Sequence, residues 1–372
     1  MTTVNYSLTI DGAPADSDLL SAIQQVEVED SAGMAGILRL KVAVGVGASG
    51  SNWEVLDDGL FQRLTEITIG VTLGSASETL LTADVIETNA DLSNRPGQSI
   101  LSVVAMDPSV RMNLEEKIRS WPNMSDSDIA SAIFGEYGFS AQVDSTQPAR
   151  QEADTTTIQR ETDMQFLRRL ARRNGSECYV ETHPQSGAVE GHFHPPRLSQ
   201  AALETLSVNL GEATNVNTFR TRYDMLRPTT VQVNGLDIGS QSDQSAQVSS
   251  VALAGLGQTS ALPGDRPRVV LASRMGLAET GELQTYAQAI VDRSAWAISA
   301  EGELNTAAYG AILRSKRPVP VRGAGRQFSG TYYVEKVLHT FSGDGYTQRF
   351  TLRRNATGLQ GSENFVPTSA PL

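Results

Sequence analysis

The sequence predicts an α+β fold that is mostly antiparallel β-sheet. Short runs in which apolar and polar residues alternate recur along the chain, as they do in half-buried strands. The 32 glycines and the aromatic content of 6% favour strands and turns over a helical bundle. One central segment instead has the periodicity of helices. With 372 residues, the chain is long enough for two or three domains with sizeable cores.

Residues 1–107 form the first predicted domain, a run of short strands. The alternating pattern predicts strands over 6–10, 23–30, 36–44, 67–73, 80–88 and 99–106. Asp11 and Gly12 predict a turn after the first strand, and the Asn-Arg-Pro-Gly sequence at 94–97 predicts a loop before the last. Strands that follow one another so closely indicate a mostly antiparallel sheet.

Residues 108–211 form a predicted α+β insertion, because the period changes after Asp107. Helices are expected over 108–121, 125–137 and 162–173. Ser125 and Asp128 have the spacing of a capping box, and Gly138 and Gly175 are placed to end the second and third helices. Strands are expected to follow at 178–180 and 191–194.

The third of these helices has a basic face. It carries four arginines: Arg168, Arg169, Arg172 and Arg173. Such a face binds phosphates or an acidic partner, or is simply the solvated side of an amphipathic helix, and the pattern favours the solvated side.

Residues 212–355 form the second predicted β domain. A β-branched run over 229–233 leads to Asn234 and Gly235, which predict a turn. The segment 240–260, rich in Gln, Ser and Ala, predicts an exposed or mobile loop, and 279–300 predicts one long helix. Residues 356–372 predict an extended tail.

The segment 316–354 is the most informative part of the sequence. Residues 328–341 are rich in Tyr, Val and Thr, the Ser-Gly-Asp-Gly sequence at 342–345 predicts a turn, and 346–353 alternates. The alternation puts Tyr346, Phe350 and Leu352 on one face of a strand. The pattern predicts a hairpin in a small barrel or sheet, with almost no residues suited to catalysis.

The order of these strands resembles that of the closing strands in proteins of the phage late control protein D family. These are the baseplate hub proteins of contractile-tailed phages, and the hub portion of VgrG spike proteins is related to them. Two motifs carry the resemblance: Phe-Ser-Gly-x-Tyr-x-Val at 328–334 and Asp-x-x-Phe-Leu-x-x-Leu-Ala at 163–171. Neither motif contains a catalytic residue.

The resemblance implies two similar antiparallel β-barrel tube domains, 1–107 and 212–355, separated by the insertion at 108–211. It also implies a homotrimer whose six tube domains adapt a sixfold tail tube to a threefold spike and line the cargo channel. The chain stops near residue 372 without the further barrel and β-helix of spike proteins. The expected partners are therefore the tail tube, a separate spike protein and other baseplate (wedge) proteins. Neither an enzyme activity nor a cofactor is implied.

Composition excludes several classes of function. The formal net charge of −12 argues against general nucleic-acid binding, which needs clustered Lys and Arg. A single cysteine, Cys178, excludes an intrachain disulfide framework. We find neither a signal peptide nor an apolar run long enough for a membrane span. The resemblance to hub proteins implies a location in the baseplate of a virion or injection particle, assembled in the bacterial cytoplasm.

A histidine cluster is the strongest candidate for a chemical site. His183, His192 and His194 lie within 12 residues of one another, and Cys178 precedes them. A His-x-His strand projects both rings to one face, which suits zinc, but no Cys-x-x-Cys or His-Glu-x-x-His motif accompanies it. The pattern therefore favours ordinary polar residues of a hairpin, with no metal site, and leaves these four residues as candidate ligands.

Other catalytic patterns are missing from the sequence. There is no Gly-x-Ser-x-Gly elbow and no Walker-type Gly-Lys-Ser or Gly-Lys-Thr, and Cys178 lies in a strand-like run typical of a small buried residue. Gly323 and Gly325 begin a glycine pattern in which Phe328 replaces the third glycine. The two alternatives to a baseplate hub are a zinc-dependent cell-wall hydrolase built on the histidines and a glycan-binding β protein.

Overall fold

The structure, a computed structural model, describes residues 4–47, 53–74, 76–95, 97–147, 152, 156–237, 242–273, 280–363 and 365. The first third contains the strands β1 (Val4–Ile10), β2 (Ala13–Pro14), β3 (Ile23–Ser31), β4 (Ile37–Ala43), β5 (Glu66–Leu73), β6 (Ala76–Asp91) and β7 (Ile100–Met106) and the helix α1 (Ser17–Ala22). The middle contains β8 (Glu116–Trp121), α2 (Asp126–Glu136), β9 (Ser140–Val143), β10 (Thr157–Thr162), α3 (Asp163–Asn174), β11 (Glu177–Thr182) and β12 (Val189–His194).

The last part of the chain returns to the strands of the main sheet. It contains β13 (Leu206–Ser207), β14 (Val216–Tyr223), β15 (Thr229–Asp237), β16 (Ser242–Val248), β17 (Thr259–Ser260), β18 (Arg268–Ser273), α4 (Thr280–Ser294), β19 (Ile298–Leu304), α5 (Thr306–Tyr309), β20 (Pro318–Arg322), α6 (Gly325–Phe328), β21 (Gly330–Ser342), β22 (Gly345–Arg354) and β23 (Ala356–Thr357). Two 3-10 helices, Pro108–Asn113 and Gly211–Ala213, complete the described elements.

One sheet of 13 strands dominates the molecule. Its order is β14-β19-β22-β21-β3-β4-β7-β6-β5-β1-β2, and β20 and β13 extend it beside β21. The pairing of β21 with β3, from Lys336↔Ser31 to Ser342↔Gln25, joins the end of the chain to its beginning. Two separate apolar cores pack on this sheet, one around Leu40 and Ile67 and one around Val319 and Leu352.

Smaller sheets surround the main one. In the insertion, β8 pairs with β10, and β11, β12 and β9 form a second sheet that packs with α2 and α3 around Phe134, Phe166 and Phe193. Within 212–355, β16, β15 and β18 form a mixed sheet that packs on α4 and has a core of its own around Val231 and Leu283. The predicted second β domain therefore contains an additional α/β unit.

The mostly antiparallel β fold is confirmed, and several predicted elements match closely. The capping box at Ser125 and Asp128 is present in α2. Helix α3 ends at Gly175 in the left-handed conformation, with φ of 68°. The predicted hairpin is the pair β21 and β22, whose register closes at Ser342↔Gly345. None of the helices in the described part of the chain is both long enough and apolar enough to span a membrane.

The predicted helix over 108–121 is wrong in its second half. A 3-10 helix ends at Asn113, and Glu116–Trp121 is a strand that pairs with β10 along its whole length. The predicted helix over 279–300 ends at Ser294, because Ile298–Leu304 is a central strand between β14 and β22. In both cases pairing with a distant strand outweighs the local helical pattern.

Two predicted turns or loops are strands. Asn234 and Gly235 lie inside β15, where Gly235 lies close to Leu283: a Cβ at that position would approach the Leu283 side chain to 3.1 Å. The predicted loop at 240–260 contains β16, which pairs with β15. Residues 240 and 241 of that loop, residue 279 of the predicted helix, residue 96 of the 94–97 loop, and 364 and 366–372 of the predicted tail lie outside the described residues.

Candidate functional site

The two halves of the 13-stranded sheet repeat one arrangement of five strands. In the first half β3, β4, β5, β6 and β7 pair in the order β3-β4-β7-β6-β5, and in the second half β14, β19, β20, β21 and β22 pair in the order β14-β19-β22-β21-β20. Every pairing within these sets is antiparallel. The strands also follow the same sequence order, so β3 corresponds to β14, β4 to β19, β5 to β20, β6 to β21 and β7 to β22.

Irregularities in the registers fix this correspondence residue by residue. The β3–β4 register shifts between Ile23 and Gln25, and the β14–β19 register shifts between Val216 and Thr218. The β6–β7 register shifts between Val85 and Glu87, and the β21–β22 register shifts between Val334 and Lys336. Because a bulge changes which side chains face each way, two shared bulges mark equivalent positions and not merely equivalent strands.

A third shared irregularity lies before β5 and β20. Leu64 and Lys316 are non-glycine residues with positive φ, 63° and 61°. The backbone of Leu64 bonds to Val85, and that of Lys316 bonds to Val334, through N–H donors at 2.8 Å in both halves. The duplication therefore includes the turns that precede β5 and β20.

One face of this sheet is polar and carries charges of both signs. On the strands from β14 to β4, its basic side chains are Arg220, Arg222, Arg349, Lys336, Arg39 and Lys41, and its acidic side chains are Glu301, Glu303, Glu27 and Glu29. Cross-strand ion pairs join them: Arg349–Glu303 at 2.9 Å, Lys336–Glu29 at 3.1 Å and Arg220–Glu301 at 3.3 Å. The opposite face packs on the two apolar cores.

A buried ionic cluster holds the two halves and the insertion together. Asp30, on β3, accepts hydrogen bonds from the Lys316 Nζ at 2.7 Å and from the backbone N–H of Ser315 at 2.9 Å. Lys316 also lies 3.8 Å from Glu181 of the insertion. Burial raises the pKa of the Asp30 carboxyl, but Lys316 and Arg314 outweigh burial and hold that pKa well below its usual range. The cluster is therefore charged and joins three parts of the chain.

A buried arginine fixes the segment after β22. Arg354 is 0% exposed, and its guanidinium donates to the carbonyl oxygens of Leu256, Ser329 and Gly358. Gly330 leaves room for it, since a Cβ there would approach Arg354 to 2.2 Å. Backbone carbonyl oxygens from three segments thus accept the hydrogen bonds of the Arg354 guanidinium. Among the described contacts, no carboxylate forms an ion pair with it.

The histidine cluster is compact but does not gather all its predicted members. The rings of His192 and His194 project to one face, as their spacing predicts, with His192 Nδ1 3.1 Å from His194 Nε2. Tyr179 stacks on His192 at a centroid distance of 4.5 Å. His183 lies at the hairpin end, where its Nδ1 accepts from the Ser186 backbone N–H at 3.2 Å. Burial and the neighbouring His194 lower the pKa of His192 to about 3.

Cys178 lies apart from these imidazoles. It pairs in register with Phe193 and is buried in the insertion core, whereas the next pair, Tyr179↔His192, points to the opposite face. Burial raises the pKa of the Cys178 thiol to about 12. Among the residues that the structure describes, no group of three or more His, Cys, Asp or Glu side chains is arranged to hold a metal ion.

The basic face of α3 is divided between internal ion pairs and a small cleft. Arg169 bonds to Glu161 at 2.6 Å, and Arg173 pairs with the buried Asp126. Arg168 and Arg172 line a cleft beside α4. Half of the predicted solvated face therefore stabilises the insertion itself.

These features define a sheet protein with an internal duplication, and comparison with known proteins places it in a family. The family model described as the Alg8 N-terminal domain matches residues 1–343, so the chain belongs to that family. A search of the curated proteins finds no significant match.

Solved structures of phage tail proteins share the fold. The 43 kDa tail protein of prophage MuSo2 from Shewanella oneidensis superposes with a TM-score of 0.65 at 14% identity, covering 95% of this chain and 100% of that chain. A tail protein from Neisseria meningitidis MC58 gives 0.64 at 13% identity, over 95% and 97%. The E. coli c3393 protein, a type VI secretion component similar in structure to the T4 tail proteins gp27 and gp5, gives 0.57 at 13% identity, over 93% and 76%. The predicted resemblance to hub proteins is confirmed for the fold.

Sequence reasoning missed the residues that hold the sheet together. Asp30 and Lys316 are 286 residues apart and belong to no motif, so no local signal pairs them. Arg354 is the last residue of an alternating strand, where its place on the apolar face was a usable signal of burial.

Proposed function

We propose that this protein is the structural hub of the baseplate of a contractile tail or phage-like injection particle. The observation that carries the proposal is the register-level duplication, which puts two equivalent strand sets side by side in one continuous sheet. A homotrimer would contain six such sets. It would therefore present sixfold-like symmetry to a tail tube and threefold symmetry to a spike.

The charged sheet face is the surface proposed to line the channel. In the described part of the chain, the opposite face is occupied by the two apolar cores, whereas the polar face carries exposed side chains such as Arg220 and Arg349 that can meet water or cargo. Positive and negative side chains form cross-strand pairs along this face from β14 to β4. The face therefore has no strong electrostatic potential of a single sign. Such a surface suits passage of a cargo through the channel better than its retention.

The proposed role is structural, with a tail tube protein, a separate spike protein and baseplate wedge proteins as partners. The buried charged groups have structural explanations. Asp30 and Lys316 join the two halves, and Arg354 holds the chain after β22 through the carbonyl oxygen of Gly358. The proposed location is a virion or injection-particle baseplate.

Native mass spectrometry and electron microscopy of the purified protein test this function. The expected result is a closed ring of three copies around a channel, which also binds the tail tube protein encoded with it. A stable monomer that associates with neither tube nor spike would overturn the proposal. Glycan binding by such a monomer would support the alternative of a glycan-binding protein.

A further inference from the structure

We infer that neighbouring copies join by pairing the second half of β6 with β14 of the next copy, with Glu87 opposite Asp224 and Asp91 opposite Arg220. This inference rests on the proposed ring but specifies its interface. Within the described residues, β14 pairs only with β19, and β6 beyond Val85 pairs only with β7. These two segments are the open edges of the eight strands from β14 to β6.

The junction inside the chain provides the template. Where the two strand sets meet, β21 pairs with β3, and in the duplication β21 corresponds to β6 and β3 corresponds to β14. Each set thus has a β6-like edge and a β14-like edge, and one edge of each set remains open. Joining the open edges in the same way continues the sheet into the next copy.

The shared bulges allow the register to be carried over. The observed pairs Lys336↔Ser31, Leu338↔Glu29 and Thr340↔Glu27 lie on the polar face. Their equivalents between copies are Glu87↔Asp224, Asn89↔Arg222 and Asp91↔Arg220. The alternate pairs on the other face become Thr88↔Tyr223 and Ala90↔Thr221.

Charge complementarity at two of the polar-face contacts supports this register independently of topology, although Glu87 and Asp224 face each other as like charges. At the internal junction, Lys336 forms an ion pair with Glu29, its diagonal neighbour, at 3.1 Å. The equivalent residues are Glu87 and Arg222, so both signs are reversed and the pair remains attractive. Asp91 faces Arg220, whose side chain is 85% exposed despite its contact with Glu301. Open strand edges usually avoid such a match, because it invites pairing.

Apolar residues at the two edges also lack cover in a single copy. At the internal junction the Ala32 N–H donates to Glu335 at 2.8 Å, and Ala32 is 5% exposed. The equivalent residues are Met225 and Ile86, which are 63% and 41% exposed. Pairing the edges would cover both. Because the two edges differ, the contact is heterologous, and such a contact closes into a ring of three when the rotation between copies is one third of a turn.

Disulfide trapping tests the register directly. The backbone bond from Ala32 to Glu335 makes that pair a hydrogen-bonded one, so Leu338↔Glu29 is a non-hydrogen-bonded pair with close Cβ atoms. We therefore expect Asn89→Cys with Arg222→Cys, in a Cys178→Ala background, to form a disulfide between copies under mild oxidation. Non-reducing gels should show a covalent ring of three. The matched control, Asn89→Cys with Thr221→Cys, places the second thiol on the opposite face and should crosslink far less.

Charge reversal provides a second, independent measurement. Changing Glu87 and Asp91 to Lys should weaken assembly by about threefold, because the attractions to Arg222 and Arg220 become repulsions while the repulsion between Glu87 and Asp224 is relieved. Adding Arg220→Glu and Arg222→Glu should restore assembly. The control changes the exposed Glu115 and Glu116 of the insertion to Lys, which alters net charge equally and should leave assembly unchanged.

The outcomes separate this interface from the proposed function. Rings that form without the 89–222 crosslink and tolerate the charge reversal would overturn the inferred register while leaving the hub intact. A monomer that neither crosslinks nor assembles with tube or spike would overturn both. Equal crosslinking of the two cysteine pairs would indicate random collision and would also overturn the register.

Discussion

The buried ionic cluster gives a sharp stability prediction at Asp30. This carboxylate accepts from Lys316 Nζ at 2.7 Å, Ser315 Oγ at 2.6 Å and the Ser315 N–H at 2.9 Å. Asp30→Asn keeps the size of the side chain but removes the charge. Lys316, which is 6% exposed, then keeps Glu181 at 3.8 Å as its remaining ion-pair partner among the described residues.

Removing one partner of a buried ion pair typically costs about 3–5 kcal/mol. We expect Asp30→Asn to lower the free energy of unfolding by about that amount in urea titrations at neutral pH. The matched control is Glu27→Gln, on the polar face of the same strand, which should cost less than about 1 kcal/mol. Replacing Lys316 by Met in the Asp30→Asn protein should recover part of the loss, because no unpaired charge remains.

The same cluster predicts a response to acid. The pKa of Asp30 is depressed in the folded state. The Asp30 carboxylate therefore contributes to the free energy of unfolding above its unfolded pKa of about 3.9, and this contribution is lost as pH falls below that value. The stability difference between the native protein and Asp30→Asn should therefore narrow below about pH 4. If Asp30→Asn costs no more than Glu27→Gln at neutral pH, the cluster does not stabilise the junction and this reasoning is refuted.

Four further predictions concern buried groups and the histidine cluster. Arg354→Met should destabilise the protein by about 3 kcal/mol and expose the segment around Leu256 to proteolysis, whereas Arg349→Met, on the exposed face, should do neither. The pKa of His192 is about 3 in the folded state and about 6.5 in the unfolded state. The stability that the neutral ring provides is therefore present above pH 6.5 and is lost as pH falls below 6.5. His192→Gln should therefore lose less stability than the native protein between pH 6.5 and 4, and an unchanged profile would contradict this. Purified protein should contain no stoichiometric zinc by elemental analysis, and Cys178 should react with iodoacetamide only after unfolding, since burial raises its pKa to about 12. Bound zinc that is lost in a His192→Ala and His194→Ala variant would revive the hydrolase alternative.

Local patterns predicted much of the fold because they depend on neighbouring residues. The capping box at Ser125 and the left-handed Gly175 are fixed within a few positions, and both were predictable. The β21–β22 hairpin was predictable for the same reason, since its turn and its alternation lie in one continuous segment.

Predictions failed where a distant strand decided the outcome. Glu116–Trp121 has no strong strand pattern of its own and becomes a strand by pairing with β10. Asn234 and Gly235 look like a turn, but β16 and β18 pair with β15 on both sides and keep it extended. Pairing partners more than a few residues away leave no trace in a local window.

The sequence by itself determined that this protein is mostly antiparallel β, where its helix caps and final hairpin lie, and that it resembles tail hub proteins. Each of these follows from periodicity, turn residues or motifs that are local in the chain. Only the tertiary structure decided that the two strand sets are equivalent to the level of shared bulges, and that Asp30 meets Lys316. Both depend on the β21–β3 junction, which joins residues about 300 positions apart, and registers between such strands are set by packing and not by local sequence.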